Sequence, residues 1–149
     1  MKTTARVVII GGGVVGCSVL YHLTKKGWSD VMLLERDQLT SGSTWHAAGG
    51  FHTLNGDPNV AMLQSYTVSL YEELERISGQ SCGLHKSPGI MLADTPERME
   101  FLKMTVARGR YLGMSTEIIS VKEALNYFPF IEEKYFLGAL LDPNEGHLD

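Results

Sequence analysis

The residues with the clearest chemical potential are three glycines that follow a short apolar stretch near the N-terminus. Gly11, Gly13 and Gly16 have the spacing G-x-G-x-x-G and come directly after Val7–Ile10. The first glycine permits a tight turn, the second lets the backbone approach a pyrophosphate, and the third lets a following helix pack against the strand. Backbone N–H groups at such a turn, together with a helix N-terminus, bind phosphate oxygens. The stretch therefore predicts a dinucleotide-binding turn.

The residues that follow predict the elements that must position this turn. Apolar residues recur at helical spacing in 14–26, and Val31–Leu34 is a second apolar stretch typical of a buried strand. Glu35 comes directly after it, 19 residues beyond Gly16, where this fold places a carboxylate that accepts hydrogen bonds from a ribose. The order strand, glycine turn, helix, strand and acid favours a Rossmann-like βαβ start over an ordinary glycine-rich turn.

A loop of small residues, RDQLTSGSTWHAAGG at 36–50, contains one large ring, Trp45, and one potential nucleophile, His46. Such loops expose much backbone to a ligand. By residue type alone, His46 is most simply a histidine of a polar loop.

Composition limits the class of protein. The chain has 149 residues, of which 44% are hydrophobic, and its net charge of −4 comes without a basic cluster, so nucleic acid is not an expected partner. No stretch approaches the roughly 20 apolar residues that span a bilayer, and we expect a cytoplasmic protein without membrane contact. Cys17 and Cys82, and the four further histidines, have no metal-ligand spacing, so no metal site is predicted. Those histidines are His22, His52, His85 and His147.

Downstream of the loop, the pattern predicts helices alternating with short strands. Helices are expected over 59–78, from Thr95 to about 112, and briefly from a capping box at 120–123 to Pro129. Strands are expected at 84–93 with a break at Pro88, at 117–119 and at 136–141. The last residues, to Asp149, are predicted to form a polar turn.

Three stretches, ARVVIIGGGVVG, VMLLER and LTSGSTWHAAG, resemble the N-terminal part of a flavoprotein family. The family comprises the flavin-dependent dimethylglycine and sarcosine dehydrogenases and oxidases, within the D-amino-acid-oxidase-like group. The similarity continues through YEELERISGQ, SPGIMLADTPERMEFLK and DPNEGHLD and so covers nearly the whole chain. It implies an α/β fold with a Rossmann-like FAD-binding βαβ start at 1–50. It also implies that 51–149 begins an α+β substrate domain with additional helices and short strands, which would leave the fold incomplete.

The resemblance implies specific cofactor contacts. In that family the histidine of the STWHAAG motif is bonded covalently to the 8α-methyl group of FAD, and it corresponds to His46. A neutral imidazole nitrogen is a competent nucleophile near neutral pH. Gly50 stands where leucine is more usual in the family. The remaining implied FAD contacts, beside the three glycines, are Val14, Val15, Glu35, Arg36, Gly42, Ser43, Thr44, Trp45, Ala47, Ala48, Gly49 and Gly50.

The implied activity is oxidation of the CH–NH group of a small methylated amine, dimethylglycine or sarcosine, with hydride transfer to flavin. Folate is an expected further partner through a C-terminal domain of the larger members. No catalytic acid or base is assigned, because the family's substrate pocket comes from later segments. Two alternatives remain: an NAD-dependent dehydrogenase, which would share the glycine turn but does not require the GSTWHAAG loop, and a non-enzymatic regulatory relative. The related phosphatase-regulatory branch lacks the histidine of this motif, so His46 argues against the latter.

Overall fold

The computed structural model describes residues 3–149, which form two compact units that divide after Ala48. The sequence predicted a boundary after residue 50. The helices and strands alternate along both units, and most of the predicted elements are present with bounds close to the predicted ones. In chain order the elements are β1 (Val7–Ile10), α1 (Val14–Lys25), β2 (Val31–Leu34), β3 (Gly50–Phe51), α2 (Pro58–Ser78), β4 (Leu84–Lys86), β5 (Gly89–Ala93), α3 (Pro96–Tyr111), β6 (Glu117–Ile119), α4 (Val121–Ala124), a 3-10 turn (Glu133–Tyr135), β7 (Gly138–Asp142) and β8 (Gly146–Leu148).

The first unit is the predicted βαβ arrangement. Strands β1 and β2 pair in parallel, from Val7 opposite Val31 to Ile10 opposite Leu34. Helix α1 connects them and has no acidic residue in its first turn, while Lys25 lies in its last turn. Lys25 suits the helix dipole, because cations are favoured at a helix C-terminus, whereas the absence of an acidic side chain leaves the positive N-terminal end uncompensated. The N-terminus of α1 is therefore left electropositive beside the glycine turn.

The second unit is organised around β7, whose five residues are all buried. It lies between β5 and β6 in an antiparallel sheet. Because side chains alternate along a strand, Ala139 and Leu141 pack in a cluster with residues of α4, while Leu140 packs on Leu102 and Val106 of α3. A second antiparallel sheet has the order β3-β8-β4. The fold is thus mixed α/β, as the sequence predicted.

Four sequence expectations need correction. Residues 146–148 form β8, the central strand of its sheet, rather than a turn, and Gly50–Phe51 pairs with it as β3 instead of ending a loop. Both stretches contain glycine and carry no local strand signal, so tertiary pairing decides their structure. Helix α4 ends at Ala124, well before Pro129. Leu63 and Ile77 recur at the helical spacing of an apolar, core-facing side of α2, yet both are more than half exposed. No helix within residues 3–149 is long and apolar enough to cross a bilayer.

Candidate dinucleotide site

The glycine turn connects β1 to α1, and its conformation requires glycine at two positions. Gly11 has φ +103°, and its N–H donates a hydrogen bond to the Leu34 carbonyl oxygen (2.8 Å) at the end of β2. A Cβ on Gly16 would clash with the Gly11 carbonyl oxygen. The first helical turn therefore packs directly on the glycine turn, as the fingerprint predicts.

Glu35 links the end of β2 to the same turn. Its carboxylate accepts hydrogen bonds from the N–H groups of Gly12 (2.6 Å), Arg36 (2.7 Å) and Asp37 (3.1 Å). The Gly12 and Asp37 N–H groups, in that order, together with the N–H of Arg36 and its guanidinium, hold the pKa of Glu35 below its usual value of 4.5. The carboxylate thus carries its charge at the position where a ribose hydroxyl group is expected to donate to it.

The small-residue loop is tied to the glycine turn by two hydrogen bonds. Thr44 Oγ1 accepts from the Val14 N–H (3.0 Å), and the Thr40 N–H donates to the Gly12 carbonyl oxygen (3.0 Å). Thr40 has φ +67°, a conformation that is strained for a β-branched residue. Such strain persists only where the surroundings impose it, and it is often found at ligand sites. The loop is therefore held against the turn at defined points.

These elements enclose a cleft of about 560 Å³ within the first unit. Its lining combines glycine backbone, hydroxyl groups and two acids with one arginine side chain, Arg36. Gly11 faces open space, with no atom within 4 Å of the position a Cβ would take. The lining residues are Ile10, Gly11, Gly13, Leu34, Glu35, Arg36, Asp37, Thr40, Ser41, Gly42, Ser43 and Thr44.

The chemistry of the cleft fits the ADP part of a dinucleotide. Val15 and Gly16 lie in the first turn of α1, so their N–H groups have no acceptor within the helix. Together with the helix dipole, these groups form an anion-binding site suited to a pyrophosphate. Glu35, which is hydrogen-bonded to the Gly12 N–H of the same turn, offers acceptors for ribose hydroxyl groups. The residues present therefore fit such a group.

His46 lies outside the cleft lining and is exposed. Its Nδ1 is 2.9 Å from the Gly42 carbonyl oxygen. Because a carbonyl oxygen only accepts, Nδ1 must carry the hydrogen, and in the neutral ring Nε2 keeps its lone pair. This tautomer leaves Nε2 available as a nucleophile.

The predicted contact residues divide into three groups. Those of the cleft lining are brought together in one place. Val14, Val15, Gly16 and the segment 45–48 belong to the same unit but do not line the cleft, and Trp45 is 78% exposed. Gly49 and Gly50 belong to the second unit. Sequence reasoning missed the backbone roles of Gly12 and Thr40. Gly12 lies inside the fingerprint and could have been found, whereas nothing in the sequence marks the positive φ of Thr40.

A larger cleft of about 660 Å³ lies within the second unit, between α2 and the residues after α3. Glu72 and Lys86, which form an ion pair, are part of its lining. None of its lining residues belongs to the predicted cofactor site.

Comparison with known proteins places the chain among flavoproteins. Residues 6–149 match the family described as DAO, FAD dependent oxidoreductase. The chain is 40% identical to mitochondrial dimethylglycine dehydrogenase of Rattus norvegicus over 148 residues, and 35% identical to mitochondrial sarcosine dehydrogenase of Homo sapiens over 150 residues. It is 37% identical to the mitochondrial pyruvate dehydrogenase phosphatase regulatory subunit of Mus musculus over 145 residues. These alignments cover 97–100% of this chain but only 16–17% of each relative.

Solved structures agree with this assignment. Glycine oxidase from Geobacillus kaustophilus has a TM-score of 0.76 at 28% identity, covering 97% of this chain and 40% of that one. L-proline dehydrogenase from P. horikoshii has a TM-score of 0.88 over the whole chain and 39% of its own, and its 23% identity makes this a likeness of fold. The glycine turn, the acid after β2 and the family match lead to one conclusion: the chain belongs to the DAO family of FAD-dependent oxidoreductases.

Proposed function

We propose that this chain holds FAD for an enzyme that oxidises the CH–NH group of a methylated glycine, either dimethylglycine or sarcosine. The observation that carries the proposal is the joint arrangement of the glycine turn, Glu35 and the hydroxyl-rich loop around one cleft. The pyrophosphate would lie at the N-terminus of α1, and Glu35 would bind the adenosine ribose. The remaining predicted contacts, including Trp45 and 47–50, would lie along the rest of the cofactor.

We further propose that His46 is the point of covalent attachment, through Nε2 and the 8α-methyl carbon of the flavin. The hydrogen bond from Nδ1 to the Gly42 carbonyl oxygen supports this, because it fixes the tautomer in which Nε2 has a free lone pair. It also limits rotation of the ring, so that the nucleophile is held in one direction. Gly42 is therefore a positioning residue for His46.

The substrate class follows from the relatives. Two similar enzymes, at 40% and 35% identity, are named as dehydrogenases of dimethylglycine and of sarcosine. When bound, FAD supplies the two-electron acceptor that amine oxidation requires. The residues of this chain bind and orient that cofactor, and we assign them no proton transfer to or from the amine. A folate-binding partner domain, as expected from the resemblance, remains part of the proposal.

The test is anaerobic reduction of the flavin in the native polypeptide that contains this chain. Loss of the visible absorbance of oxidised flavin is followed after mixing with dimethylglycine, sarcosine, glycine or proline. We expect reduction by dimethylglycine or sarcosine and none by glycine, which differs from sarcosine by one N-methyl group. Reduction by glycine or proline alone would contradict the substrate class. Tight binding of NADP without any flavin would instead support the NAD-type alternative.

A second candidate is a regulatory flavoprotein without turnover. The 37% identity to the phosphatase regulatory subunit is close to the value for sarcosine dehydrogenase, so identity alone does not separate them. A protein that binds FAD but is reduced by none of the four amines would favour this candidate. His46, expected only in the enzymes, is the feature of this chain that opposes it.

A further inference from the structure

Three side chains with metal-binding donor atoms meet on one face of the β3-β8-β4 sheet. His85 of β4 lies directly opposite His147 of β8 in the antiparallel register. Directly paired residues project from the same face, and so does Asp149, two residues after His147. The backbone maintains this arrangement beyond β8, because the Asp149 N–H donates to the Gly83 carbonyl oxygen (3.0 Å). The register therefore places two imidazoles and one carboxylate together.

Two glycines keep this face open beside the donors. Gly50 of β3 is the other neighbour of His147, and no atom lies within 4 Å of the position a Cβ would take there. Gly83 has φ +65°, and a Cβ on it would lie 2.7 Å from the Asp149 Cβ. A larger residue at Gly83 would thus displace the carboxylate. Glycine at both positions leaves room for an ion and its remaining water ligands.

The distances are those of a nearly assembled site. His85 Nε2 is 2.9 Å from Asp149 Oδ2, and the two imidazole rings stack with centroids 4.9 Å apart. At the tetrahedral angle that zinc prefers, two donors about 2.1 Å from a shared ion are about 3.4 Å apart, so the His85–Asp149 pair must open by about half an ångström to admit the ion. One donor atom from each residue lies within 4.8 Å of the others. Coordination of a shared ion therefore requires the His147 side chain to move closer to the other two donors.

Charge favours a cation here as well. The Asp149 carboxylate lies 2.9 Å from the His85 ring, and the Glu75 carboxylate accepts hydrogen bonds from the Ser81 hydroxyl group and the Cys82 N–H, just before β4. The first of these carboxylates therefore offers a negative charge directly beside an imidazole. The donor atoms are exposed, with His85 at 54% and Asp149 at 71% of side-chain area, so an ion can enter from solvent.

We propose that His85, His147 and Asp149 form a binding site for a divalent first-row transition metal ion, with zinc as its simplest occupant. Imidazole nitrogen and carboxylate oxygen are both common ligands of Zn²⁺ in proteins. Three protein ligands leave at least one coordination position for water. No local pattern in the sequence indicates this site, because His85 and His147 are far apart in the chain and only the strand register brings them together. The site lies in the second unit, and none of its three ligands is a proposed FAD contact.

The test is calorimetric titration of the purified protein with ZnCl₂. We expect one equivalent of zinc to bind. His85→Gln, His147→Ala and Asp149→Asn should each weaken zinc affinity at least about tenfold, because loss of a residue that merely hydrogen-bonds a metal ligand already costs that much. The matched control is His52→Ala, which removes an exposed histidine of the same unit outside the cluster. It should bind zinc like the wild type.

Circular dichroism of each variant checks folding. His85→Gln keeps a hydrogen-bonding side chain of similar size, so it remains decisive if His147→Ala unfolds. Absence of zinc binding by the wild type would overturn the proposal. Zinc affinity equal to the wild type in all variants would also overturn it. So would a loss of affinity in His52→Ala as large as in the ligand variants, because either result would mean that zinc binds surface groups in general. Co²⁺ gives a second readout, since its visible absorption should depend on both histidines.

Discussion

Glu35 joins the end of β2 to the glycine turn through its carboxylate. The N–H of Gly12 reaches one carboxylate oxygen, and the N–H groups of Arg36 and Asp37 reach the other. These donors stabilise the charged form, so the folded protein lowers the pKa of Glu35 below 4.5. The charged Glu35 carboxylate would repel the 2′-phosphate of NADP and would accept a hydrogen bond from a ribose hydroxyl group.

The lowered pKa has a consequence for stability against pH. A carboxylate whose pKa is depressed in the folded state stabilises it fully above the unfolded value, and this contribution is lost as the pH falls through the folded pKa. We therefore expect the difference in thermal midpoint between wild type and Glu35→Gln to be constant near neutral pH and to shrink below 4.5. Thermal unfolding across that range measures it. Glu117→Gln, which alters an exposed acid on β6, is the control, and a difference that grew on acidification would refute the account.

At the level of single residues, the sequence predicted most of the cleft but not its shape. Gly11, Gly13 and Glu35 were identifiable because their roles depend on spacing and on the absence of a side chain. The strained backbone of Thr40 was not, because φ +67° follows from how the loop closes on Gly12 and not from any threonine preference. The direction of the His46 ring likewise depends on a loop carbonyl that no local pattern specifies.

Among the elements, the first turn of α1 packs directly against the glycine turn that follows β1. Gly16 lies in the first turn of α1 against the carbonyl of Gly11 and the Ile9 side chain. Any Cβ there would push the helix away from the strand. The helix N-terminus would then move from the position where it can bind a phosphate.

Gly16→Ala should therefore impair both stability and cofactor binding. Overpacking of this kind costs about 1–3 kcal/mol in free energy of unfolding. Chemical denaturation measures the first effect, and fluorescence titration of the flavin-free polypeptide with FAD measures the second. Gly56→Ala is the matched control, since no atom lies within 4 Å of the position a Cβ would take on Gly56, which is outside the site. Wild-type FAD affinity in Gly16→Ala would show that the glycine turn does not hold the cofactor.

Element boundaries were predictable where a cap or a break marks them. Asp57 accepts from the N–H groups of Asn59 and Val60 at the start of α2, and Ser120 forms the predicted capping box of α4 with Glu123. Strand β8 was missed because its glycine and histidine favour no strand locally, and its structure depends on two partners distant in sequence. Capping residues near in sequence thus determine where helices begin, whereas pairing with distant strands determines where the short strands form.

Across the whole chain, burial is uneven. The five residues of β7 are buried between two strands and beneath helices. In the first unit, β1 pairs with β2 alone within the described residues, and Ile10 and Val15 are 87% and 74% exposed. Two strands are too few for an independently stable sheet, since about three with a covered face are usually required. The chain spans about 17% of the length of the dimethylglycine dehydrogenases that it matches.

Hydrogen exchange on the 149-residue chain should show this difference. We expect amide protection in β1 to be at least about tenfold lower than in β7, because local opening costs less where fewer apolar groups are buried. Added FAD should not restore this protection in the chain alone, because its two-stranded sheet is not independently stable. Equal protection of β1 and β7 without FAD would contradict this view of the two units.

The most direct test of the central claim is flavin fluorescence of the denatured native polypeptide in a gel. If this chain holds FAD with His46 Nε2 as its attachment point, the wild-type band fluoresces after denaturation. The His46→Ala band is then dark, while His52→Ala, which removes a histidine outside the motif, fluoresces like the wild type. A fluorescent His46→Ala band, or a dark wild-type band, would contradict the account.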